Sequence, residues 1–163
     1  MIENRTTDIF AEKDLDVIAH QANCYCTFGS GIAAVIRQKY PSAYEADLDT
    51  DKGDMKKLGT YSHAIIEEGD RKFIIANVYG QGGFFNRRQG NRDTNYDALC
   101  DGLTLLKDDL LANSNRQVVI GVPWKIGCAL GGGSWTIVSA ILEDIFGDED
   151  KIKCVICKLP DAE

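Results

Sequence analysis

The sequence predicts an α/β domain: a three-layer α/β/α sandwich in which helices cover both faces of a mixed central sheet. Three observations carry this expectation. Short apolar runs that read as strands alternate along the chain with longer segments whose apolar residues recur at helical spacing. One pair of strand-like runs is joined by a polar turn, a hairpin that makes the sheet mixed rather than wholly parallel. No repeat, linker or low-complexity segment interrupts residues 1–163, which read as a single domain.

The elements follow in order. Residues 16–20 (DVIAH) are short, apolar and strand-like. From Ile32 onward, Val35, Ile36 and Tyr40 fall at helical spacing until Pro41 stops the helix. Ser42 with Glu45 three residues later reads as a capping box that opens a second helix. Residues 60–66 and 73–78 are strands joined by the turn EEGDRK. Tyr96, Leu99, Cys100, Leu103, Leu106 and Leu110 form the apolar stripe of a long helix, with Thr94 and Asp97 as its capping box. Residues 117–122 read as a buried strand. Trp135, Val138, Ile141, Leu142, Ile145 and Phe146 line one face of a last helix that Gly147 can terminate, and residues 151–157 return as a final strand.

Composition narrows the function classes. The 163 residues are 44% hydrophobic, enough for a core that needs neither metal nor disulfide, so disorder is not expected. Eighteen Lys and Arg against 25 Asp and Glu give a net charge of -7, which argues against nucleic-acid binding. Any anionic ligand must be met by a local field. The first residues, MIENRTTDIF, lack the basic start and apolar run of a secretory signal, and no apolar stretch approaches the roughly 20 residues of a membrane span. The expected location is cytoplasmic, with no membrane partner. Six Cys then read as free thiols. Cys154 and Cys157 have CxxC spacing, but they lie in an alternating strand with no second pair, so buried thiols are expected rather than a metal site.

In a sheet of this kind the ligand lies beyond the carboxyl ends of the strands. Two loops leaving such ends are rich in glycine. The first runs from Gln21 to Ala33 and contains Gly29-Ser30-Gly31-Ile32; the second, Gly127-Cys128-Ala129-Leu130-Gly131-Gly132-Gly133-Ser134, follows the strand ending in Val122-Pro123. Both lead into helices, where free N–H groups and the helix dipole attract phosphate without Lys or Arg. Two such loops suggest a diphosphate. The alternative for each is a tight structural turn, although three consecutive glycines from Gly131 are hard to explain by packing. Gly29 to Ala34 matches GxGxxA, but eight residues separate His20 from Gly29, too many for a dinucleotide fingerprint. The second loop has no Lys after its glycines and is not a Walker loop.

The stretch His20-Gln21-Ala22-Asn23, followed by Gly29-Ser30-Gly31-Ile32-Ala33, resembles the macrodomain signature. Ile126-Gly127-Cys128-Ala129-Leu130-Gly131-Gly132 is similar to that family's second ligand loop, and Thr7-Asp8-Ile9 to the segment before its first core strand. The likeness covers nearly the whole chain and looks most like the branch that contains ADP-ribose-1″-phosphate phosphatases. It implies ADP-ribose or its 1″-phosphate as ligand, or an ADP-ribosylated protein as partner, with no cofactor and no metal. Asp8 would accept from the adenine amino group with the Ile9 backbone beside it. Gly29, Ser30, Gly31 and Ile32 would hold one phosphate, and Gly127, Cys128, Ala129, Leu130, Gly131 and Gly132 would close over the other. Asn23 would bind the distal ribose hydroxyls. Asp8 could instead cap a turn, and Asn23 could brace a bent loop.

Departures from the family pattern matter as well. His20 stands where the family has the first Asn of its motif, Phe28 where many binding members carry a histidine, and Gly131 where they carry an aromatic. An imidazole has an ordinary pKa near 6.5, so His20 at the strand end is the expected catalytic group, with Asn23 beside it; the alternative is a buried histidine bonded to backbone. His63 lies in a strand far from both loops and reads as structural. A loop containing Gln81, Gly82, Gly83, Arg87, Arg88, Asn91, Arg92 and Asp93 reads either as a cationic lid toward the terminal phosphate or as a solvated loop. The reaction expected is removal of the terminal phosphate of ADP-ribose-1″-phosphate. A non-catalytic reader of ADP-ribose and an ADP-ribosyl hydrolase are the alternatives.

Overall fold

The computed structural model describes residues 1–163, the side chains of Arg87 and Arg88 excepted. Six strands form one sheet: β1 (Ile2–Thr6), β2 (Val17–Ala22), β3 (Tyr61–Glu68), β4 (Arg71–Tyr79), β5 (Val118–Pro123) and β6 (Ile152–Lys158). Their spatial order is β1-β6-β5-β2-β4-β3. All neighbours are parallel except β3, which pairs antiparallel with β4 at one edge. The helices are α1 (Gly31–Lys39), α2 (Pro41–Leu48), α3 (Tyr96–Asn113) and α4 (Trp135–Phe146).

Alternation along the central strands divides the interior into two cores. Val17, Ala19, Ala76, Val78, Ile120, Val122 and Cys154 face Leu99, Leu103 and Leu106 of α3 and Val138, Leu142 and Phe146 of α4. Ile18, Ala22, Phe73, Ile75, Tyr79 and Val155 face Ile36 of α1 and Ala43 of α2. The result is the three-layer sandwich expected from the sequence. The CxxC spacing falls in β6, where residues three apart point to opposite faces, so Cys154 belongs to one core and Cys157 to the other. The two thiols cannot share a ligand from there. Burial pushes them up to about 12 and about 11 respectively.

Five local features differ from the sequence reading. β1 has no counterpart in the sequence reading, because IENRT carries a single apolar residue and its edge position leaves two of its polar side chains exposed. β2 runs on to Ala22, which places His20 inside the strand rather than at its end. Pro41 rather than Ser42 begins α2: its fixed φ and missing N–H suit the first helical position, and no side chain caps this helix. Asn95 rather than Thr94 caps α3, accepting from the Ala98 amide at 3.0 Å, and Thr94 is buried behind the cap. The hairpin is tighter than predicted, with Glu68 paired to Arg71 across Gly69-Asp70 and φ of +62° at Gly69.

Candidate functional site

The parallel strands β1, β6, β5, β2 and β4 end on one edge of the sheet, and a groove runs along that edge over the loops that leave them. Its larger part has a volume of about 910 Å³ and is lined by Asn23, Thr27, Gly29–Ala33, Gln81, Phe84, Pro123–Gly127 and Ala129–Gly131, among others. A second part of about 430 Å³ is lined by Thr7–Phe10, Val35, Lys39 and Cys157. Gly31, Ile32, Pro123, Trp124 and Leu159 border both parts. Among the described residues, the larger part contains no carboxylate and one cation, Lys125. That matters in a protein of net charge -7.

The first loop is braced from within. Asn23 Oδ1 accepts from the Tyr25 amide at 2.8 Å and its Nδ2 donates to Thr27 Oγ1 at 2.7 Å, so its side chain closes the bend the loop makes after β2. Cys26 adopts the left-handed conformation (φ 57°), held by Tyr44 Oη on its carbonyl at 3.1 Å. The loop then delivers Ser30 as the N-cap of α1. Ser30 makes no side-chain cap hydrogen bond, which leaves the first-turn amides of α1 open to the groove. A Cβ on Gly29 would meet nothing within 4 Å, and Gly31 has φ of +60°.

In the second loop, Gly133 N donates to Gly127 O at 2.9 Å and Cys128 N to Lys125 O at 2.8 Å. The amides of Ala129, Leu130 and Gly131, all on the groove wall, have no acceptor among the described residues. Cys128 and Gly132, expected at the ligand, do not line the groove; Cys128 packs against the α3/α4 core. The amides that face the groove belong to a turn and not to the start of α4, because α4 begins at Trp135, beyond the groove wall, and Ser134 N is taken by Tyr96 Oη at 2.8 Å. The glycine run does have a packing reason. A Cβ at Gly131 would collide with Thr94 Oγ1, and one at Gly133 would lie 2.7 Å from Gly127 O.

Asp8 lines the smaller part of the groove and also caps the 3-10 turn Ile9–Ala11, accepting from Phe10 N at 2.9 Å. Trp124 stands at the junction of the two parts, with Lys125 and Lys158 nitrogens 4.4 and 4.2 Å from its ring centre.

His20 is fully buried and lies outside the groove wall. Its Nε2 sits 2.7 Å from Asn77 Oδ1, and its ring packs edge-on against Phe28, with centroids 5.3 Å apart. Burial lowers its pKa to about 4, opposed by the Asn77 hydrogen bond. This imidazole is neutral at physiological pH and does not reach the groove, so the expected direct proton transfer from His20 does not fit the geometry. Behind it runs a buried polar chain: Asn77 donates to Ser62 Oγ, Ser62 bonds Tyr79 Oη, and Tyr79 donates to Asp47 Oδ1 at 2.6 Å. Burial raises the Asp47 carboxyl, with the Tyr79 hydrogen bond and the Lys57 charge opposing it. His63 is exposed on β3, at the sheet edge.

Asp93 is buried at the start of the segment before α3, where its Oδ1 accepts from Asn86 N at 3.2 Å and its own amide donates to Gly131 O at 2.9 Å. The Arg87 and Arg88 side chains of the expected cationic lid lie outside the described residues. Two groove residues carried no sequence signal: Phe84 after β4 and Leu159 near the C-terminus. Each is of a common type in an ordinary setting, and only the convergence of strand ends brings them together.

The chain is 35% identical over 129 residues to an uncharacterised 17.5 kDa protein from the tk-vs intergenic region of Enterobacteria phage T4, covering 77% of each. It is 29% identical over 147 residues to the ADP-ribose 1″-phosphate phosphatase of Debaryomyces hansenii, covering 78% of this chain and 82% of that one. The macrodomain of Mycobacterium tuberculosis DarG superposes with a TM-score of 0.74 at 19% identity over 99% of both chains. The chain has the macrodomain fold. No family model matches it. The fold brings both glycine loops together on one sheet edge. No helix among the described residues is long and apolar enough to cross a membrane.

Proposed function

We propose that this macrodomain binds ADP-ribose along the groove and hydrolyses the terminal phosphate of ADP-ribose-1″-phosphate. The adenine lies in the part lined by Asp8 and Ile9, the diphosphate between the first turn of α1 and Ala129–Gly131, and the distal ribose at Asn23, Gln81 and Phe84. One observation carries this reading: two sets of unpartnered amides face a single cavity without carboxylates in an acidic protein. Amides provide the anion field that the side-chain composition lacks. The yeast relative named for this phosphatase activity supports the choice of reaction.

Within this reading Asn23 presents its amide to the distal ribose, and His20 supports the loop from behind Phe28 as a positioning group. A second reading, a non-catalytic reader of free or protein-linked ADP-ribose, is favoured by the enclosure of His20 away from the groove. The deciding experiment combines inorganic phosphate release from ADP-ribose-1″-phosphate, ADP-ribose release from modified protein, and calorimetric binding of ADP-ribose. Phosphate release with ADP-ribose binding supports the phosphatase; binding without turnover of either substrate supports the reader. Absence of heat with ADP-ribose removes both.

A further inference from the structure

Three segments meet at the back of the groove: the end of β2, the chain from Gly80 to Asn95, and the loop from Gly127 to Gly133. Two side chains join them. Gln21 Nε2 donates to Gln81 Oε1 at 2.7 Å and to Thr94 Oγ1 at 2.8 Å. Thr94 Oγ1 donates in turn to Gly127 O at 2.6 Å. At the other end of the same loop, Gly131 O accepts from the amides of Asp93 and Thr94 at 2.9 and 3.0 Å. Thr94 is 2% exposed and lies outside the groove wall, so it does not touch a ligand.

The consequence is electrostatic. A carbonyl oxygen turned toward a phosphate repels it, whereas an amide attracts it. Both end carbonyls of the loop are taken up by Thr94 and its neighbour, and the amides of Ala129, Leu130 and Gly131 are left on the groove side. Glycine at 131 is what lets the loop lie this close, since any Cβ there meets the Thr94 hydroxyl and Gln21.

We propose that the Gln21–Thr94 hydrogen-bond clip is a positioning device that presents the second glycine loop to a diphosphate, making this loop a determinant of selectivity for phosphate-bearing ligands over the bare nucleoside. The proposal rests on the ADP-ribose reading above. Thr94 acts through Gly127 and Gly131 and is a positioning residue.

Thr94→Val removes the hydroxyl with little change in shape, and Thr94→Ser restores it. Three quantities are measured for each: calorimetric affinity for ADP-ribose, affinity for adenosine by NMR titration, and exchange of the Gly133 amide, which bonds Gly127 O in the free protein. Thr94→Val weakens ADP-ribose by about tenfold, the scale of one lost hydrogen bond, leaves adenosine unchanged and speeds Gly133 exchange, while Thr94→Ser behaves as wild type. Equal losses for ADP-ribose and adenosine, or unchanged ADP-ribose affinity in Thr94→Val, overturn the proposal. If wild type binds no ADP-ribose, the functional reading fails by itself. Exchange at Gly133 then still decides whether the clip holds the loop, and an unchanged rate in Thr94→Val overturns it.

Discussion

His20 Nε2 and Asn77 Oδ1 meet at 2.7 Å across adjacent parallel strands, β2 and β4, in a register that sets the two residues side by side inside the sheet. The pair turns a histidine that the sequence presents as a proton carrier into an interior polar contact. Its protonation is suppressed by burial and happens near pH 4 in the folded state, against about 6.5 for an unfolded chain.

That difference makes stability depend on pH. A lowered histidine pKa means the unfolded chain binds the proton more readily between about pH 4 and 6.5, so the contribution is complete above 6.5 and is lost as pH falls toward 4. Chemical denaturation should show a decline on the order of 3 kcal/mol across that window. The comparison with His20→Gln isolates the histidine from the carboxylates that titrate nearby. An equal slope in the variant would remove His20 as the source.

Gly29→Ala tests the anion site with little structural cost. A Cβ there meets open space, so thermal stability is unchanged or raised by about 0.4–1 kcal/mol through the stiffer unfolded chain. ADP-ribose affinity falls because the methyl group occupies the approach to the α1 amides. Calorimetry that shows wild-type affinity would place the phosphate elsewhere.

Gly131→Ala behaves differently. Its Cβ collides with Thr94 Oγ1 and presses on Gly127 O, so the loop must shift. A loss of about 1–3 kcal/mol in stability is expected, with weakened ADP-ribose binding. Thermal melting and titration of one sample check both parts.

Asp8 has two duties that two substitutions separate. Asp8→Asn keeps an oxygen for the Phe10 amide and retains stability, whereas Asp8→Ala loses the cap and about 1 kcal/mol. If Asp8 receives the adenine amino group, both variants bind ADP-ribose more weakly. An Asp8→Asn protein with full affinity and full stability would leave the cap as its whole role.

The sandwich itself was readable in the chain because it rests on local periodicity. Leu99, Leu103 and Leu106 recur at helical spacing, and the alternation of β2, β4 and β6 feeds two cores whatever the loops do. Both glycine loops were also legible, since a run of glycines after an apolar strand stands out along the chain wherever its partners lie. Legibility ended where a residue's role depends on a neighbour distant in sequence. Thr94 looks like a helix cap until Gly127 arrives beside it, and β1 looks like nothing until β6 offers its edge.

By itself, then, the order of residues determined the layers and the strand-end location of the two glycine loops. Tertiary structure alone decided that β2 continues past His20, that Asn77 and Phe28 enclose its ring, and that the second loop presents a turn rather than a helix start. Periodicity and conformational preference act over a few residues and are written along the chain. Burial, pKa and the direction in which a carbonyl points are set by partners dozens of positions away, and those exist only once the sheet has formed.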